Sequence, residues 1–391
     1  MDINPKNDKT TKQTLIKVLL IDYNSVKKNE AEKCRHLSSI PDLDLTLLIP
    51  PYIIENYRRI NSPDSIPFCK LIIAKSIGRI PHRAFFITGL IKALRNKPDI
   101  IHILCDEPFL WTFQSLLYKM VFSPKSKFIF HSWQNIKFDR KNYSQKNYFL
   151  YWIDSLTENF VFRYSDAAVV RNREAEDVLR IRGFKKTIRY IPWGVDTGYY
   201  KKNNRHSKNT KPVIGYIGRF VREKGIKDII KAVSLLKTEY LLLLIGNGPE
   251  LQAIKDEVKS AGIDSNVEIV SDATYDKIPS YLNSMDILVL PSRSIPKWKE
   301  QFGRVLVEAM ACEVPVIGSS CGAIPEVIRD CGLIFREGDI NELAEKISIL
   351  LKNPDMRKRL GQEGRSRAIE HFSWQSFAKN TYNLFKEVLG I

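Results

Sequence analysis

Val213-Ile-Gly-Tyr-Ile-Gly-Arg-Phe-Val-Arg-Glu-Lys-Gly225 reads as a buried strand, a glycine turn and the approach to a helical stretch from Ile226 to Leu236. The pattern then repeats. Tyr240 to Ile245, Val267-Glu-Ile-Val270, Ile287-Leu-Val-Leu290 and Pro315-Val-Ile317 are short apolar runs, with a further helical stretch from Pro249 to Ala261 between them. Strands alternating with helices predict a parallel sheet covered on both faces, in which the loops at the carboxyl ends of the strands carry the chemistry.

Upstream the same alternation appears in Lys17-Val-Leu-Leu-Ile-Asp22, Leu43 to Pro50, Ile100 to Leu104, Phe128-Ile-Phe-His131 and Ala167-Ala-Val-Val170. Ile191-Pro-Trp-Gly-Val-Asp196 leads into a polar run, Lys201 to Lys211, that has no apolar period and reads as a linker. The expected organisation is an α/β chain of two doubly wound domains: residues 1–196, a linker over 197–211, residues 212–372, and a C-terminal helix over 373–391. That helix carries Phe377, Tyr382, Leu384, Phe385 and Leu389 at helical spacing and should pack across a domain surface.

At 391 residues and 44% hydrophobic content the chain has apolar material for two cores. Its apolar runs are strand-length, far short of the roughly 18 residues a spanning helix needs. The polar start, Met-Asp-Ile-Asn-Pro-Lys-Asn-Asp-Lys9, lacks the core of a signal peptide, so a cytoplasmic location is expected. Six scattered cysteines form no Cys-x-x-Cys pair, and six dispersed histidines form no metal-binding pair. Free thiols and no metal are expected. Residues 1–210 hold 36 Lys and Arg against 20 Asp and Glu, or +16, which leaves +1 of the total +17 for the remainder. A basic half beside a neutral half points to a polyanion or an anionic membrane surface as partner.

Three constellations carry candidate chemistry. In Gly218-Arg219 to Lys224-Gly225 the glycines admit close backbone approach and two cations five residues apart can flank a diphosphate at a helix start. A surface glycine turn with Arg and Lys would read the same way, so the second turn, Gly246-Asn-Gly248-Pro249, matters as support. The third is Glu300 and Glu308, around Phe302 and Gly303, after the strand that ends in Pro291-Ser292. Glu300 precedes a helix predicted over Val305 to Ala311, so the two carboxylates can bracket a ligand over the helix start and accept hydrogen bonds from sugar hydroxyls.

From residue 211 to 389 these motifs, with the closing Phe372-Ser-Trp374, resemble the family-4 retaining glycosyltransferases (glycosyl transferases group 1) of the GT-B fold, two facing Rossmann-like domains. The N-terminal half matches through Lys97-Pro-Asp-Ile-Ile-His102, Glu107-Pro108, Trp133-Gln-Asn-Ile136 and Pro192-Trp-Gly-Val-Asp196. The resemblance implies that Arg219 and Lys224 bind a donor diphosphate, that Glu308 binds ribose hydroxyls, and that Glu300, with backbone amides near Phe302 and Gly303, holds the transferred sugar. His131 stands where relatives place a histidine that contacts the donor. The chain departs from the family at Tyr23-Asn-Ser-Val26, where relatives often carry Gly-Gly, and at Glu313 and Asp272, which replace frequent glycines.

On this resemblance the expected activity is transfer of a hexose from a nucleotide diphosphate sugar to an acceptor hydroxyl with retention, without metal or cofactor, in cell-surface glycan or glycolipid synthesis. The implied partners are a nucleotide sugar, a glycan or lipid-linked acceptor and an anionic membrane at its inner face, reached through Arg58-Arg59 and Lys75 to Lys97. A GT-B phosphorylase would need the same phosphate cradle. A dinucleotide-binding enzyme is disfavoured because no Gly-x-Gly-x-x-Gly opens either domain. A nucleic-acid-binding protein would explain the charge but leave the glutamate pair without a role.

Overall fold

The computed structural model describes residues 15–55, 58–79, 83–86, 88–106, 109–136, 148–203 and 211–391. Glu107-Pro108, residues 204–210 of the expected linker and the first 14 residues lie outside the described ones. Two compact units divide the chain between Phe130 and His131.

The first unit runs through β1 (Ile16–Ile21), α1 (Lys28–Ser38), β2 (Leu43–Ile49), β3 (Tyr52–Glu55), β4 (Arg58–Asn61), β5 (Lys70–Ile73), β6 (Ser76–Arg79), β7 (Arg83–Phe86), α2 (Leu90–Arg95), β8 (Ile100–Ile103), α3 (Leu110–Phe122) and the start of β9 (Lys127–Ser132). Its parallel core is ordered β9-β8-β1-β2-β5. Leu19, Leu20 and Ile21 are buried on both faces, which is why that strand reads as a continuous apolar run. Two antiparallel hairpins, β3–β4 and β6–β7, had no counterpart in the sequence reading.

After β1, Tyr23–Val26 form a 3-10 turn at the position where the resemblance leads one to expect Gly-Gly. Asp22 makes that turn: it accepts from Asn24 N at 3.0 Å, from Ser25 Oγ at 2.6 Å and from Lys33 Nζ at 2.5 Å. Asp22 and Lys33 are both fully buried, so each neutralises a charge that alone would be prohibitive in the interior.

The second unit carries α4 (Tyr148–Tyr164), β10 (Ala167–Val170), α5 (Arg173–Ile181), β11 (Thr187–Tyr190), β12 (Val213–Ile217), α6 (Ile226–Ser234), β13 (Leu241–Ile245), α7 (Leu251–Ser260), β14 (Val267–Val270), α8 (Ile278–Leu282), β15 (Ile287–Leu290), α9 (Arg304–Ala311), β16 (Val316–Ser319), α10 (Ile324–Ile328), β17 (Gly332–Phe335), α11 (Ile340–Lys352), α12 (Pro354–Phe372) and α13 (Trp374–Leu389). Its six-stranded parallel sheet is ordered β14-β13-β12-β15-β16-β17. Counted within the sheet this is 3-2-1-4-5-6, the doubly wound order of nucleotide-binding folds.

The C-terminal helix is seated by Pro192-Trp-Gly-Val-Asp196. A Cβ on Gly194 would stand 2.1 Å from the Trp374 ring, Val195 N donates to Phe372 O at 2.7 Å, and the Trp193 and Trp374 rings meet edge-on at 5.8 Å. Helix α9 packs against α12, where Gly361 lets the backbone of Glu313 approach. Glu313 adopts φ 59, so the glutamate sits in the left-handed conformation that its glycine-replacing position suggested. All six cysteines are free, Cys69 and Cys331 being only half-buried. Among the described residues, no helix is long and apolar enough to cross a membrane.

Candidate functional site

The strand order reverses between β12 and β15, and ligands of such sheets bind outside the carboxyl ends at that reversal. The loops leaving the two strands are residues 218–225 and 291–303, which contain most of the residues singled out from sequence. They are joined through the backbone. Arg293 N donates to Glu223 O at 2.8 Å, and Gly225, at φ 64, lies so close that a Cβ would stand 2.1 Å from Pro291 O. The Arg293 guanidinium forks onto both oxygens of Asp228 at 2.6 Å.

The turn after β13 joins the same surface. Phe220 N donates to Asn247 O and Glu250 N to Phe220 O, while a Cβ on Gly246 would lie 1.8 Å from Gly218 O. Gly246 and Gly248, whose added Cβ atoms would meet Gly218 O and Phe220 O, therefore permit a close approach of two turns, while Gly218 leaves room for the Tyr216 hydroxyl.

Lys224 Nζ lies 2.5 Å from Glu300 Oε2. Ser292 Oγ donates to the same oxygen at 2.8 Å, and the ammonium sits 4.9 Å from the centre of the Trp298 ring. Trp298 is placed by a tight loop in which Ile295 and Trp298 exchange backbone hydrogen bonds. Lys224 and Glu300, assigned from sequence to different parts of a ligand, thus meet directly. Arg219 is exposed, and its carbonyl accepts from Tyr216 Oη at 3.0 Å. Burial and then the Glu300 carboxylate push the Tyr216 phenol up, while Arg219 pulls it down, so both charges act on one hydroxyl.

Helix α9 begins at Arg304, one residue before the predicted start, on Gly303 at φ 77 with no side-chain cap. Phe302 is buried against the edge of Phe372. Glu308 is buried on α9 and pairs with Arg304 one turn earlier at 3.1 Å; Arg304 Nη2 reaches Tyr275 Oη at 3.0 Å. The Tyr275 and Tyr200 rings meet edge-on. Burial first and the Glu308 carboxylate second push the Tyr200 phenol well up, and the same two causes push the Cys312 thiol up to about 12.

His131 is buried near the end of β9. Four residues later, Asn135 Nδ2 donates to Glu300 O at 3.1 Å and to Glu174 Oε2 at 3.2 Å. Asn172 Nδ2 donates to Gln301 O at 2.8 Å while its Oδ1 caps α5 by accepting from Ala175 N. Lys299 Nζ pairs with Glu174 at 3.0 Å, and Ala323 N donates to Glu300 O at 2.9 Å. These contacts fix the backbone on which Glu300 stands. Asn135 falls within Trp133-Gln-Asn-Ile136 but had no role from sequence, and Asn172 was not singled out. Asn172 had a legible signal, an asparagine before Arg173-Glu-Ala-Glu176, which is a helix-start pattern.

Residues 200–367 match the family model of glycosyl transferases group 1. The chain carries a group 1 glycosyltransferase domain. It is 33% identical over 198 residues to N-acetyl-alpha-D-glucosaminyl L-malate synthase of Bacillus anthracis, which covers 50% of each chain. It is 30% identical over 227 residues to the capsular polysaccharide biosynthesis glycosyltransferase CapM of Staphylococcus aureus, covering 56% of this chain and 58% of that one. The chain spans about half the length of the curated relatives it matches. Among solved structures it resembles Anabaena HepE in complex with UDP at a TM-score of 0.71 and 16% identity, over 95% of this chain and 100% of that one. That likeness extends the group 1 domain's GT-B fold across the chain and bears on fold alone.

Proposed function

We propose that the protein is a retaining hexosyltransferase that moves a hexose from a nucleotide diphosphate sugar to an acceptor hydroxyl. The observation that carries this reading is the meeting of Lys224 and Glu300 at the strand-order reversal, beside exposed Arg219. Arg219 and Lys224 would bind the diphosphate, with Gly218, Gly246 and Gly248 admitting close backbone approach. Glu300, with the amides at Phe302 and Gly303, would hold hydroxyls of the sugar, and Glu308 those of the ribose. His131 would approach the sugar and phosphate.

In the step itself the bond from the anomeric carbon to the diphosphate oxygen breaks and a bond to the acceptor oxygen forms on the same face. The acceptor proton passes to the departing phosphate oxygen. Arg219 and Lys224 stabilise the charge that develops there, a job that preorganised cations perform without a metal ion. The likeness to a capsule-synthesis enzyme favours a cell-surface glycan acceptor; a lipid-linked acceptor and work at the cytoplasmic side belong to the same proposal.

A thermal-shift panel of nucleoside diphosphates and nucleotide sugars, followed by proton NMR of the product anomer, tests the reading. A cognate donor should raise the melting temperature by mass action. Failure of every nucleotide to do so, or an inverted product, overturns it.

A further inference from the structure

The second unit holds a cavity of about 140 Å³ lined by none of the residues assigned above to a donor. Around it stand Tyr190 at the end of β11, Glu326 on α10, Arg329 just past α10 and Arg367 on α12. Arg367 is set by its own hydrogen bonds: Nε donates to Val327 O at 2.8 Å and Nη2 to Glu326 O at 3.0 Å, leaving Nη1 without a hydrogen bond among the described residues. The Arg329 guanidinium has neither a hydrogen bond nor a carboxylate partner among the described residues. Burial first and the Arg329 charge second pull the Arg367 guanidinium down, so two like charges face the same space.

Three further features point to a ligand. Arg329 adopts φ 46, where glycine is favoured and a side chain is strained, so the arginine is held at a position that its backbone disfavours. Glu326 Oε1 is buried and accepts no hydrogen bond; Arg173 Nε stands 3.5 Å from it, and Arg173 N donates to the other oxygen at 3.1 Å. The Tyr190 hydroxyl has no hydrogen bond among the described residues, and burial followed by the Glu326 carboxylate pushes its phenol up, so it stays a donor. The cavity adjoins a groove of about 550 Å³ that shares His371 and Asn380 with it and adds Gln375, Ser376 and Lys379. Amides and hydroxyls of this kind pair with the hydroxyls of a sugar. At roughly 30 Å³ per water the cavity itself takes about four to five oxygen-sized atoms, the size of one phosphate group.

We propose that this cavity and groove bind a phosphorylated monosaccharide, with its phosphate on Arg329, Arg367 and Tyr190 and its hydroxyls on Glu326 and the groove. A bare phosphate would meet the arginines and leave the groove unused. An unphosphorylated sugar would leave the two like charges facing each other. The inference does not rest on sugar transfer, since its readout is binding at residues outside the donor site.

The full chain is titrated by calorimetry with glucose 6-phosphate, mannose 6-phosphate, inorganic phosphate and glucose. One of the two sugar phosphates is expected to bind at least about tenfold more tightly than inorganic phosphate, and glucose not to bind. Arg329→Gly removes the cation and relieves the backbone, so it should leave the melting temperature no lower and weaken sugar phosphate binding by more than about tenfold, as for loss of a hydrogen bond to a charged group. Tyr190→Phe removes only a hydroxyl that has no hydrogen bond among the described residues and should weaken binding several-fold; it carries the test if Arg329→Gly fails to fold. Arg219→Ala should bind sugar phosphate as the wild type does, which separates this site from the donor site. No binding of either sugar phosphate, equal affinity for inorganic phosphate or glucose, or wild-type affinity in both folded variants overturns the proposal. So does loss of binding in Arg219→Ala with full binding in Arg329→Gly, which would put the ligand in the donor site.

Discussion

Lys224 pairs with Glu300 at the strand-order reversal of the C-terminal sheet, its ammonium 2.5 Å from the one carboxylate oxygen to which Ser292 Oγ also donates at 2.8 Å. The Lys224 cation is neutralised by Glu300, so under the proposed function a diphosphate would compete with Glu300 for it. Glu300→Gln keeps the shape and removes the competing charge. It is expected to tighten nucleoside diphosphate binding while transfer falls about a hundredfold, as for loss of one transition-state hydrogen-bonding group. Calorimetric titration and initial rates decide this, and weaker nucleotide binding would refute the competition.

Lys224→Met removes the partner of a carboxylate whose side chain is only 9% exposed, so it should cost stability as well as rate. The lysine side chain is itself 15% exposed, and the surviving Ser292 bond limits the loss to about 1–3 kcal/mol. Urea unfolding measures it. Arg219→Ala, at an exposed position, should leave the unfolding curve unchanged while transfer falls by about a hundredfold or more. Full transfer activity in Arg219→Ala would remove the diphosphate assignment.

Five of the six strands of the C-terminal sheet were legible as short apolar runs: Val213–Ile217 and Ile287–Leu290 are largely buried and fall where the sequence puts them, as does the half-exposed edge strand Val267–Val270, whereas the other edge strand, Gly332–Phe335, was not read. Glycine turns were legible for the same local reason. What sequence could not supply was partnership across distance. Lys224 and Glu300 are 76 positions apart and were given separate tasks, and Asn135 reaches the carbonyl of Glu300 across 165 positions. The hairpins β3–β4 and β6–β7 escaped notice because their alternation is carried by basic residues and has little apolar contrast. Tyr200 lay in a stretch read as linker, yet it is buried beside Glu308 because Asp196 Oδ1 accepts from Gly198 N and Tyr199 N and turns the chain inward.

The Cys312 thiol carries a pH signature. Burial and the neighbouring Glu308 carboxylate raise it from 9.0 to about 12, so the folded state holds its proton more tightly than the unfolded chain. That contribution is fully present below pH 9 and is lost as pH rises towards 12. Cys312→Ala should therefore flatten the alkaline fall of stability over this window, measured by urea unfolding against pH. In the native wild type the thiol should resist iodoacetamide at pH 8, because the thiolate is the reactive form. Rapid native alkylation at Cys312 would contradict the burial on which this rests.

Gly225 is where backbone geometry and chemistry depend on each other most closely. It combines φ 64 with a contact in which any Cβ would stand 2.1 Å from Pro291 O, and it lies next to Lys224 at the start of α6. Alanine would have to leave the left-handed conformation or push the Pro291 loop away, and either motion lengthens the path from Lys224 to Glu300. Gly225→Ala is expected to destabilise by more than about 1 kcal/mol, since both strain and overpacking act at one site. Transfer should fall further than in Gly262→Ala, a control whose glycine also has positive φ, 66, but has nothing within 4 Å of the added Cβ. Equal losses in the two variants would mean that backbone strain alone matters there and that the close approach of the two loops does not position the site.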